Sequence, residues 1–333
     1  MPRRLATAVL TAALLAPAAP AAAATGSGAA TRSAAGNAAA TGSAAAAGSA
    51  AAAATGACYP GSTVSCFVWT GKVVRVNDGD TLDIDIAGDG TSTPRSVRLA
   101  DAQAMEQSVY SATPAKRRGD CHALAATARL EQLVRASGGV VRLTAQSPDS
   151  ASRNRPLRGV QVYIAGSWRD AGLDLVRRGL VLWQPFPKEG EWAWNTAYRE
   201  GSLSAARART NLFDTDACRP GPYQSAGITA SVDWRAETVT VTNHSAERIN
   251  LSRWWIRDSG LRRYTFRTGT TVAAGRSVTL HVLGAGTDTG ADKFWRLSTP
   301  IFDNPLPDGQ GHGDGAYLFD PDGDLRAWDI YPA

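Results

Sequence analysis

Three short polar segments in the first half of the chain contain the residue types that phosphate chemistry uses. NDGDT at 77–81 places two carboxylates on a tight turn. RLADAQAME at 98–106 begins with an arginine and ends with a glutamate, and NRPLRG at 154–159 places an arginine directly before an apolar run. Each segment alone has an ordinary explanation as a hairpin turn, a solvated glutamate or a surface arginine.

Taken together, these residue types suit the hydrolysis of a phosphodiester. Catalysis of that reaction is chiefly stabilisation of the negative charge that develops on the phosphate oxygens. Two guanidinium groups can chelate those oxygens in a fork geometry, and a carboxylate can deprotonate the attacking water. A hard cation held by oxygen ligands adds a Lewis acid. None of the four histidines forms a pair with metal-ligand spacing, so a histidine-based nuclease site is not indicated.

The order and spacing of the three segments resemble the thermonuclease (staphylococcal nuclease-like) family over roughly residues 67–215. In that family a DGDT turn precedes R-x-x-x-x-D-[TA]-P-E, which precedes [DN]-[RK]-x-x-R-G. Here the three motifs align at 78–81, 98–106 and 154–159. GLDLVRRGLVLW at 172–183 is similar to the second helix of the family and its exit.

The resemblance implies a calcium-dependent nuclease with a role for each matched residue. Asp80 and the backbone carbonyl of Ala104 would ligate calcium, with Mg²⁺ or another divalent cation as the alternative. Glu106 would activate water, and Arg98 and Arg158 would clamp the scissile phosphate. The implied substrates are DNA and also RNA, cut at the 5′ side of the phosphodiester to leave 3′-phosphate ends.

Gln103 departs from the family pattern at a metal-ligand position. It stands where the family has a second carboxylate, and Met105 stands where the family has proline. An amide oxygen can ligate calcium but brings no charge, so a weaker or water-completed site with Gln103 as a ligand is expected. Asp101 is not a substitute, because it lies about 7 Å back along the strand.

Two alternative functions stay open at this point. One is a nucleic-acid-binding protein that keeps the phosphate clamp but has lost useful metal affinity. The other is an envelope or matrix scaffold in which the C-terminal domain dominates.

The candidate substrate contacts lie in the connection before the first predicted helix. Lys116, Arg117 and Arg118 form a basic run, and Tyr110 lies nearby. In the resembled family this loop approaches nucleic acid, whereas a solvated basic loop is the alternative. The nuclease domain is predicted to span 57–219, and its net charge of +4 permits a polyanionic partner without establishing one.

The elements that must position these residues follow from hydrophobic periodicity. Short alternating strands with added helices predict an α+β fold, an OB-type five-stranded β-barrel with three helices. The predicted strands are 67–76, 81–87, 95–100, 140–145 and 159–165, and the predicted helices are 121–135, 171–178 and 192–209.

After a Pro/Gly-rich linker at 220–227, strands alone predict a second domain at 228–333. Segments 247–266 and 269–286, with a closing hairpin at 316–332, resemble the lamin-tail family. Its members are immunoglobulin-like sandwiches attached to secreted bacterial nucleases and other enzymes. The strands are predicted at 228–234, 238–242, 254–257, 264–266, 277–282, 316–319 and 325–328.

The resemblance of the second domain implies a separate all-β immunoglobulin-like sandwich. Such a domain would contact a surface, another protein or nucleic acid. A net charge of −2 over 220–333 argues against a strong DNA-binding module. The chain is expected to be a monomer.

The N-terminal segments predict export. Residues 1–24 carry two arginines before a short apolar run and small residues suited to cleavage, as a secretory signal peptide does. Residues 25–56 are almost all Ala, Gly, Ser and Thr, which predicts a flexible tether. No segment reaches the about 20 apolar residues of a membrane span.

The four cysteines predict two disulfides in an exported protein. Three pairings are possible. The favoured one joins Cys58 to Cys66 in a short local loop and Cys121 to Cys218 across the predicted helices. A zinc site formed by all four thiolates is the alternative, which the lack of a CxxC pair disfavours.

Overall fold

Five strands close into a barrel in the first half of the chain. The computed structural model describes residues 54–186, 192–222, 227–305 and 312–333. The predicted signal peptide and nearly all of the predicted tether lie outside the described residues. The elements of the barrel region are β1 (Ala54–Ala57), β2 (Ser65–Val76), β3 (Thr81–Ile86), β4 (Arg95–Leu99), β5 (Ala102–Gln103), β6 (Gln107–Val109), β7 (Arg118–Gly119), α1 (Ala123–Ala136), β8 (Val140–Ala145), β9 (Ala151–Ser152), β10 (Arg155–Ile164), β11 (Ser167–Asp170), α2 (Ala171–Arg177), β12 (Leu182–Trp183) and α3 (Trp192–Ala208).

The barrel is the ring β2-β3-β4-β10-β8, in which β8 pairs back with β2. All pairs in the ring are antiparallel except β4 with β10, which run parallel. The five strands and three helices predicted from periodicity are confirmed. The largest boundary difference is at β10, which begins at Arg155 rather than at Gly159 and therefore contains the arginines of NRPLRG.

The turn that carries the two aspartates is held against α1 by close packing. Asn77 N donates to Thr81 O at 2.9 Å, which closes the turn between β2 and β3. A Cβ on Gly79 would lie 2.5 Å from the Ala126 Cβ and 2.9 Å from the Ala104 Cβ. Only glycine leaves room for that approach, so the glycine between the two aspartates sets how near the turn lies to the helix and to Ala104.

The cysteines pair as the sequence analysis favoured. Cys58 is bonded to Cys66 and Cys121 to Cys218. Such crosslinks persist outside the reducing cytosol, so they are consistent with an extracellular protein. The end of the predicted tether is ordered, because Ala54–Ala57 forms β1 and pairs with β2. Among the described helices, none has the length and apolar character needed to cross a membrane.

The C-terminal strands form two four-stranded sheets, β13-β14-β19-β20 and β17-β16-β21-β22. A common core that draws on both sheets makes them a sandwich, consistent with an immunoglobulin-like fold. The seven predicted strands are confirmed, whereas β20, which pairs parallel with β19, and the two-residue strands β15 and β18 were missed. The strands are β13 (Ile228–Asp233), β14 (Thr238–Asn243), β15 (Ile249–Asn250), β16 (Trp255–Arg257), β17 (Arg263–Thr265), β18 (Thr271–Val272), β19 (Ser277–Leu283), β20 (Asp292–Leu297), β21 (Asp314–Phe319) and β22 (Leu325–Tyr331).

The sandwich, which was predicted as a separate domain, packs against the barrel. Both belong to a single compact unit, Gly48–Ala333. The reason lies in β21, all of whose residues are buried. Ala316 and Leu318 face the sandwich core, while Tyr317 and Phe319 join the core of the barrel. A strand whose two faces are both apolar is typically covered on both sides.

A buried charge cluster joins the two regions beside this shared core. The Arg326 side chain is 1% exposed, and its Nε donates to Asp320 Oδ2 at 2.7 Å. The same guanidinium donates to the carbonyls of Thr215 and Arg219. Asp324, 0% exposed, lies 3.3 Å from Arg326 and accepts from Cys218 N at 2.9 Å. The chain that leaves the barrel is therefore fastened to the hairpin between β21 and β22.

Replacing Arg326 with leucine should destabilise the whole chain. The change leaves the carboxylates of Asp320 and Asp324 buried without their cation, which costs about 3–5 kcal/mol. The free energy of unfolding, measured by urea denaturation, should fall by that amount. The matched control is Arg219→Ala, because the Arg219 side chain is 67% exposed in its pair with Asp322 and such pairs contribute at most about 1 kcal/mol. Equal losses in the two variants would contradict the role of the buried cluster.

Candidate active site

The Asp80 carboxylate is the centre of the candidate site. It is 5% exposed and accepts hydrogen bonds from groups on three segments. Thr81 Oγ1 donates to Asp80 Oδ1 at 2.8 Å, and Ala104 N donates to Oδ2 at 2.7 Å. The Arg98 guanidinium forms a direct ion pair with Oδ1. The network therefore brings together two of the three sequence motifs, DGDT and RLADAQAME.

The Gln103 amide links the remaining groups of this network. Arg98 Nη2 donates to Gln103 Oε1 at 2.7 Å and to Gln184 Oε1 at 3.2 Å. Gln103 Nε2 donates to Ala104 O at 3.0 Å and to Asp80 Oδ2 at 3.4 Å. Gln103 is held in place by the pairing of β5 with β12, where it lies opposite Leu182. The amide thus contacts both oxygens that the sequence assigned to a cation.

This arrangement gives a direct test of whether a cation fits. The Asp80 carboxylate and the Ala104 carbonyl both point at the Gln103 Nε2. Turning the amide about its last torsion would present Oε1 instead, so that three oxygens converge, as a hard cation requires. The same turn would break the bond from Arg98 Nη2 to Oε1 and face the amide NH2 toward that guanidinium. The donor set fits a divalent cation, with one fewer negative charge than two carboxylates would bring. A bound cation would take the place of hydrogen bonds that the protein already makes.

Two further carboxylates lie beside Asp80. Asp78 Oδ1 accepts from Asp80 N at 3.0 Å. Burial, followed by the Asp80 charge, raises the pKa of Asp78 to about 7. Glu106 lies on the exposed edge, and partial burial together with Asp80 raises its pKa. The positive charge of Arg257, from β16, opposes that rise, so the C-terminal sheet contributes to the field at the site.

The structure places the two arginines of NRPLRG on opposite faces of β10. Leu157 pairs with Arg98 across the parallel strands. Because side chains alternate along a strand, Arg155 shares the face of Arg98 and Arg158 does not. Arg155 Nη1 donates to Thr81 Oγ1 at 3.2 Å, which connects it to the DGDT turn.

Arg158, the arginine that aligns with the family motif, points into the protein. It is 7% exposed, and its guanidinium lies 4.6 Å from the ring centroid of Trp69. It donates to the carbonyls of Pro148, Ser150 and Leu157. The structure therefore brings Arg155 into contact with the Asp80 network through Thr81, and it holds Arg158 against Trp69 and these backbone carbonyls.

The predicted substrate contacts divide into exposed and buried groups. Arg117 is 8% exposed, and its Nη2 donates to Glu131 Oε1 on α1 at 2.7 Å, so this side chain anchors the loop. Lys116 and Arg118 lie on the exposed side of the same loop. Tyr110 is 54% exposed, and its pKa is raised by partial burial and by the nearby carboxylates of Asp78, Glu106 and Asp80. Tyr110 therefore lies at the candidate site.

The C-terminal region forms one wall beside Arg98. A cleft of about 170 Å³ lies between Gln184 on the barrel side and three carboxylates on the sandwich side. These are Asp258, Asp303 and Asp314. Burial raises the pKa of Asp258 to about 6 and that of Asp303 to about 6. Burial and the neighbouring Asp258 raise the pKa of Asp314 as well, so burial favours the neutral form of these carboxyl groups.

Sequence reasoning missed Arg155, Gln184 and Arg257. The sequence contained a signal that could have identified Arg155. The two arginines of NRPLRG are three residues apart, so in a strand their side chains lie on opposite faces. Gln184 follows directly after the segment 172–183 but matches no part of the motif pattern. Arg257 had no local signal, since its position depends on how the sandwich packs against the barrel.

Comparison with known proteins identifies only the C-terminal part of the chain. No curated protein matches the chain. No thermonuclease family model matches the residues before 219, so that resemblance stays a prediction. Residues 219–331 match the family model described as Lamin Tail Domain, which confirms the lamin-tail resemblance of this segment.

Proposed function

We propose that the chain is a secreted nuclease that hydrolyses phosphodiester bonds of DNA, with RNA as the second substrate class. The proposal includes an OB-type barrel and a divalent cation, with calcium expected first. The observation that carries it is the network in which the Asp80 carboxylate accepts from the Arg98 guanidinium and from the backbone N–H of Ala104, next to Glu106. These groups belong to two motifs that are distant in sequence, and the barrel brings them to one edge.

In the proposed reaction a water oxygen attacks phosphorus and the bond from phosphorus to the 5′ oxygen breaks. Glu106 accepts a proton from the water, and the departing 5′ oxygen takes a proton from solvent. Arg98 and Arg155 bracket the Asp80–Thr81 pair and donate to the phosphate oxygens, where negative charge increases. A cation held by Asp80, Ala104 O and Gln103 would supply Lewis-acid stabilisation when bound. The resemblance implies a 3′-phosphate and a 5′-hydroxyl as product ends.

A second candidate function has one observation in its favour. Both Asp80 oxygens, the Arg98 guanidinium and the Gln103 amide are already bound to one another. A cation must compete with these bonds for a site that has lost a negative charge. A protein that binds nucleic acid without cleaving it is therefore the alternative.

The decisive assay combines nucleic-acid type and metal. Purified full-length protein is incubated with single-stranded DNA, double-stranded DNA or RNA, in the presence of Ca²⁺, Mg²⁺ or a chelator. Cleavage that needs a divalent cation and leaves phosphatase-sensitive 3′ ends is expected. Glu106→Gln should lower kcat by at least about 100-fold, because general-base catalysis contributes that much.

Glu200→Gln is the matched control, since Glu200 is 54% exposed on α3. It should leave turnover unchanged. Retained cleavage in Glu106→Gln would refute the assigned base. Salt-sensitive binding by the wild-type protein without cleavage would select the alternative function.

The two arginines of NRPLRG should respond differently to substitution. Arg155→Ala removes a donor that faces the Asp80 network, so kcat should fall by about 100- to 1,000-fold while the melting temperature stays near that of the wild type. Arg158→Met removes hydrogen bonds to three carbonyls. That variant should lose stability by about 1–3 kcal/mol and keep most of the turnover of its folded fraction. The reverse pattern, with Arg155→Ala fully active and Arg158→Met folded but inactive, would show that Arg158 rather than Arg155 binds the scissile phosphate.

Gln103→Asp tests the cation site without relying on activity. A carboxylate at this position restores a negative charge beside Asp80, so calcium should bind at least about tenfold more tightly in isothermal titration calorimetry. Gln132→Asp makes the same charge change on the exposed side of α1 and should leave the affinity unchanged. Equal calcium affinity in wild type and Gln103→Asp would show that Gln103 does not belong to a cation site.

A further inference from the structure

A cavity of about 640 Å³ lies on the barrel away from the Asp80 network. Its lining includes Pro60, Trp168, Arg169, Asp170, Arg177 and Trp194. On β10, Gln161 pairs with Asp170. Gln161 lies six residues after Arg155, which is about 20 Å along an extended strand. The cavity and the candidate active site therefore occupy different ends of β10.

One wall of the cavity is built by fixed aromatic contacts. The Trp194 ring stacks on Tyr59 with 4.4 Å between centroids, and Tyr59 is the residue next to the buried Cys58–Cys66 disulfide. Trp194 Nε1 donates to Asp170 Oδ2 at 3.2 Å. Asp170 Oδ1 also accepts from Tyr198 OH at 2.6 Å. The indole is thus held in one orientation before any ligand arrives.

The acidic groups of the cavity are occupied by internal partners. Both Asp174 oxygens accept from Arg129, at 2.7 and 2.8 Å, and Arg178 Nε donates to Oδ1 at 3.0 Å. The Asp170 carboxylate is buried and bonded to Tyr198, Trp194 and a backbone amide. Neither carboxylate is left to neutralise a further cation on this surface.

The guanidinium groups of Arg169 and Arg177 belong to the same cavity. Arg169 and Arg177 are exposed, and among the described residues neither takes part in an ion pair or hydrogen bond through its side chain. Trp168 also lines the cavity, partly exposed, with its ring 5.3 Å from Tyr163. The cavity therefore offers positive charge next to an accessible aromatic ring.

We propose that this cavity is a second binding site, and that its ligand is single-stranded nucleic acid. A base stacks on Trp168, and the flanking phosphates bind Arg169 and Arg177. Guanidinium groups recognise phosphate through paired hydrogen bonds, and stacking on an aromatic side chain selects unpaired bases, whose faces are free. The proposal goes beyond the proposed function and does not depend on cleavage, because binding at this site is measured whether or not the Asp80 site is catalytic.

The test measures binding of a fluorescein-labelled dT12 oligonucleotide by fluorescence anisotropy, using the full chain with Glu106→Gln to prevent cleavage. Arg169→Glu with Arg177→Glu should weaken binding at least tenfold. The slope of log affinity against log salt concentration should be smaller in magnitude by about 1.4 for this variant, since each phosphate contact on a single strand contributes about 0.7 to the slope. Trp168→Leu should weaken binding by about 5- to 150-fold, which corresponds to the loss of one stacked base.

The control is Arg135→Glu with Arg207→Glu, which changes the net charge equally at exposed helix positions. The decrease in log affinity should be less than half of the decrease caused by Arg169→Glu with Arg177→Glu. Equal losses in the two double variants would overturn the site and leave only a net-charge effect. Equal binding of a sulfated polysaccharide, combined with no effect of Trp168→Leu, would overturn nucleic acid as the ligand.

A local readout separates this cavity from the Asp80 site. Protein labelled with 5-fluorotryptophan gives a ¹⁹F signal for Trp168, assigned as the one lost in Trp168→Leu. Addition of dT5 should shift this signal, also in the Arg155→Ala variant. A Trp168 signal that does not move while dT5 binds elsewhere would refute the proposal.

Discussion

The bonds to the Asp80 carboxylate are the constraint on which the candidate site depends. A buried carboxylate must be paired or fully hydrogen-bonded, because its desolvation otherwise costs several kcal/mol. Asp80 meets that requirement by accepting from Thr81, Ala104 and Arg98. Those donors belong to the start of β3, the segment after β5, and β4. The same bonds that satisfy one charge therefore fix the spacing of three segments.

Gln103 determines the charge balance of that network. With aspartate at this position, Asp80 and its neighbour would repel one another and require a cation. The amide removes that repulsion and bonds to Arg98, Ala104 O and Asp80. In this network, protein groups alone satisfy the Asp80 oxygens. Under the proposed function, the cation affinity reflects a free-energy difference between two states. In one state the Asp80 and Ala104 oxygens bind the cation, and in the other they accept hydrogen bonds from the protein.

The sequence predicted the five barrel strands, although burial alternates in only part of them. β3 alternates from Leu82 to Ile86, whereas β10 is buried continuously from Leu157 to Val162. The strand after NRPLRG was predicted to begin at Gly159, whereas β10 begins four residues earlier, at Arg155. The parallel pairing of β10 with β4, which assigns Arg155 and Arg158 to opposite faces, depends on the closed barrel and is not visible locally. Motif alignment preserves residue spacing, but the register of a strand decides which side chain faces the site.

The separate sandwich was expected because the linker at 220–227 looks like a domain boundary. A Pro/Gly-rich segment shows where the chain turns, but it does not show which faces remain uncovered. The second apolar face of β21 needs a partner, and the barrel provides it through Tyr317 and Phe319. This packing brings the C-terminal sheet beside Arg98.

The wall that results has consequences for how a substrate would lie. Asp258, Asp303 and Asp314 line the cleft on the Gln184 side of Arg98. A phosphate chain is repelled by carboxylates that carry charge, and the repulsion increases as Asp258 ionises near its pKa of about 6. On the opposite side, Arg155 and Tyr110 border the network. Under the proposed function, the nucleic acid therefore enters over Arg155 and Tyr110, and the lamin-tail sheet closes the other path.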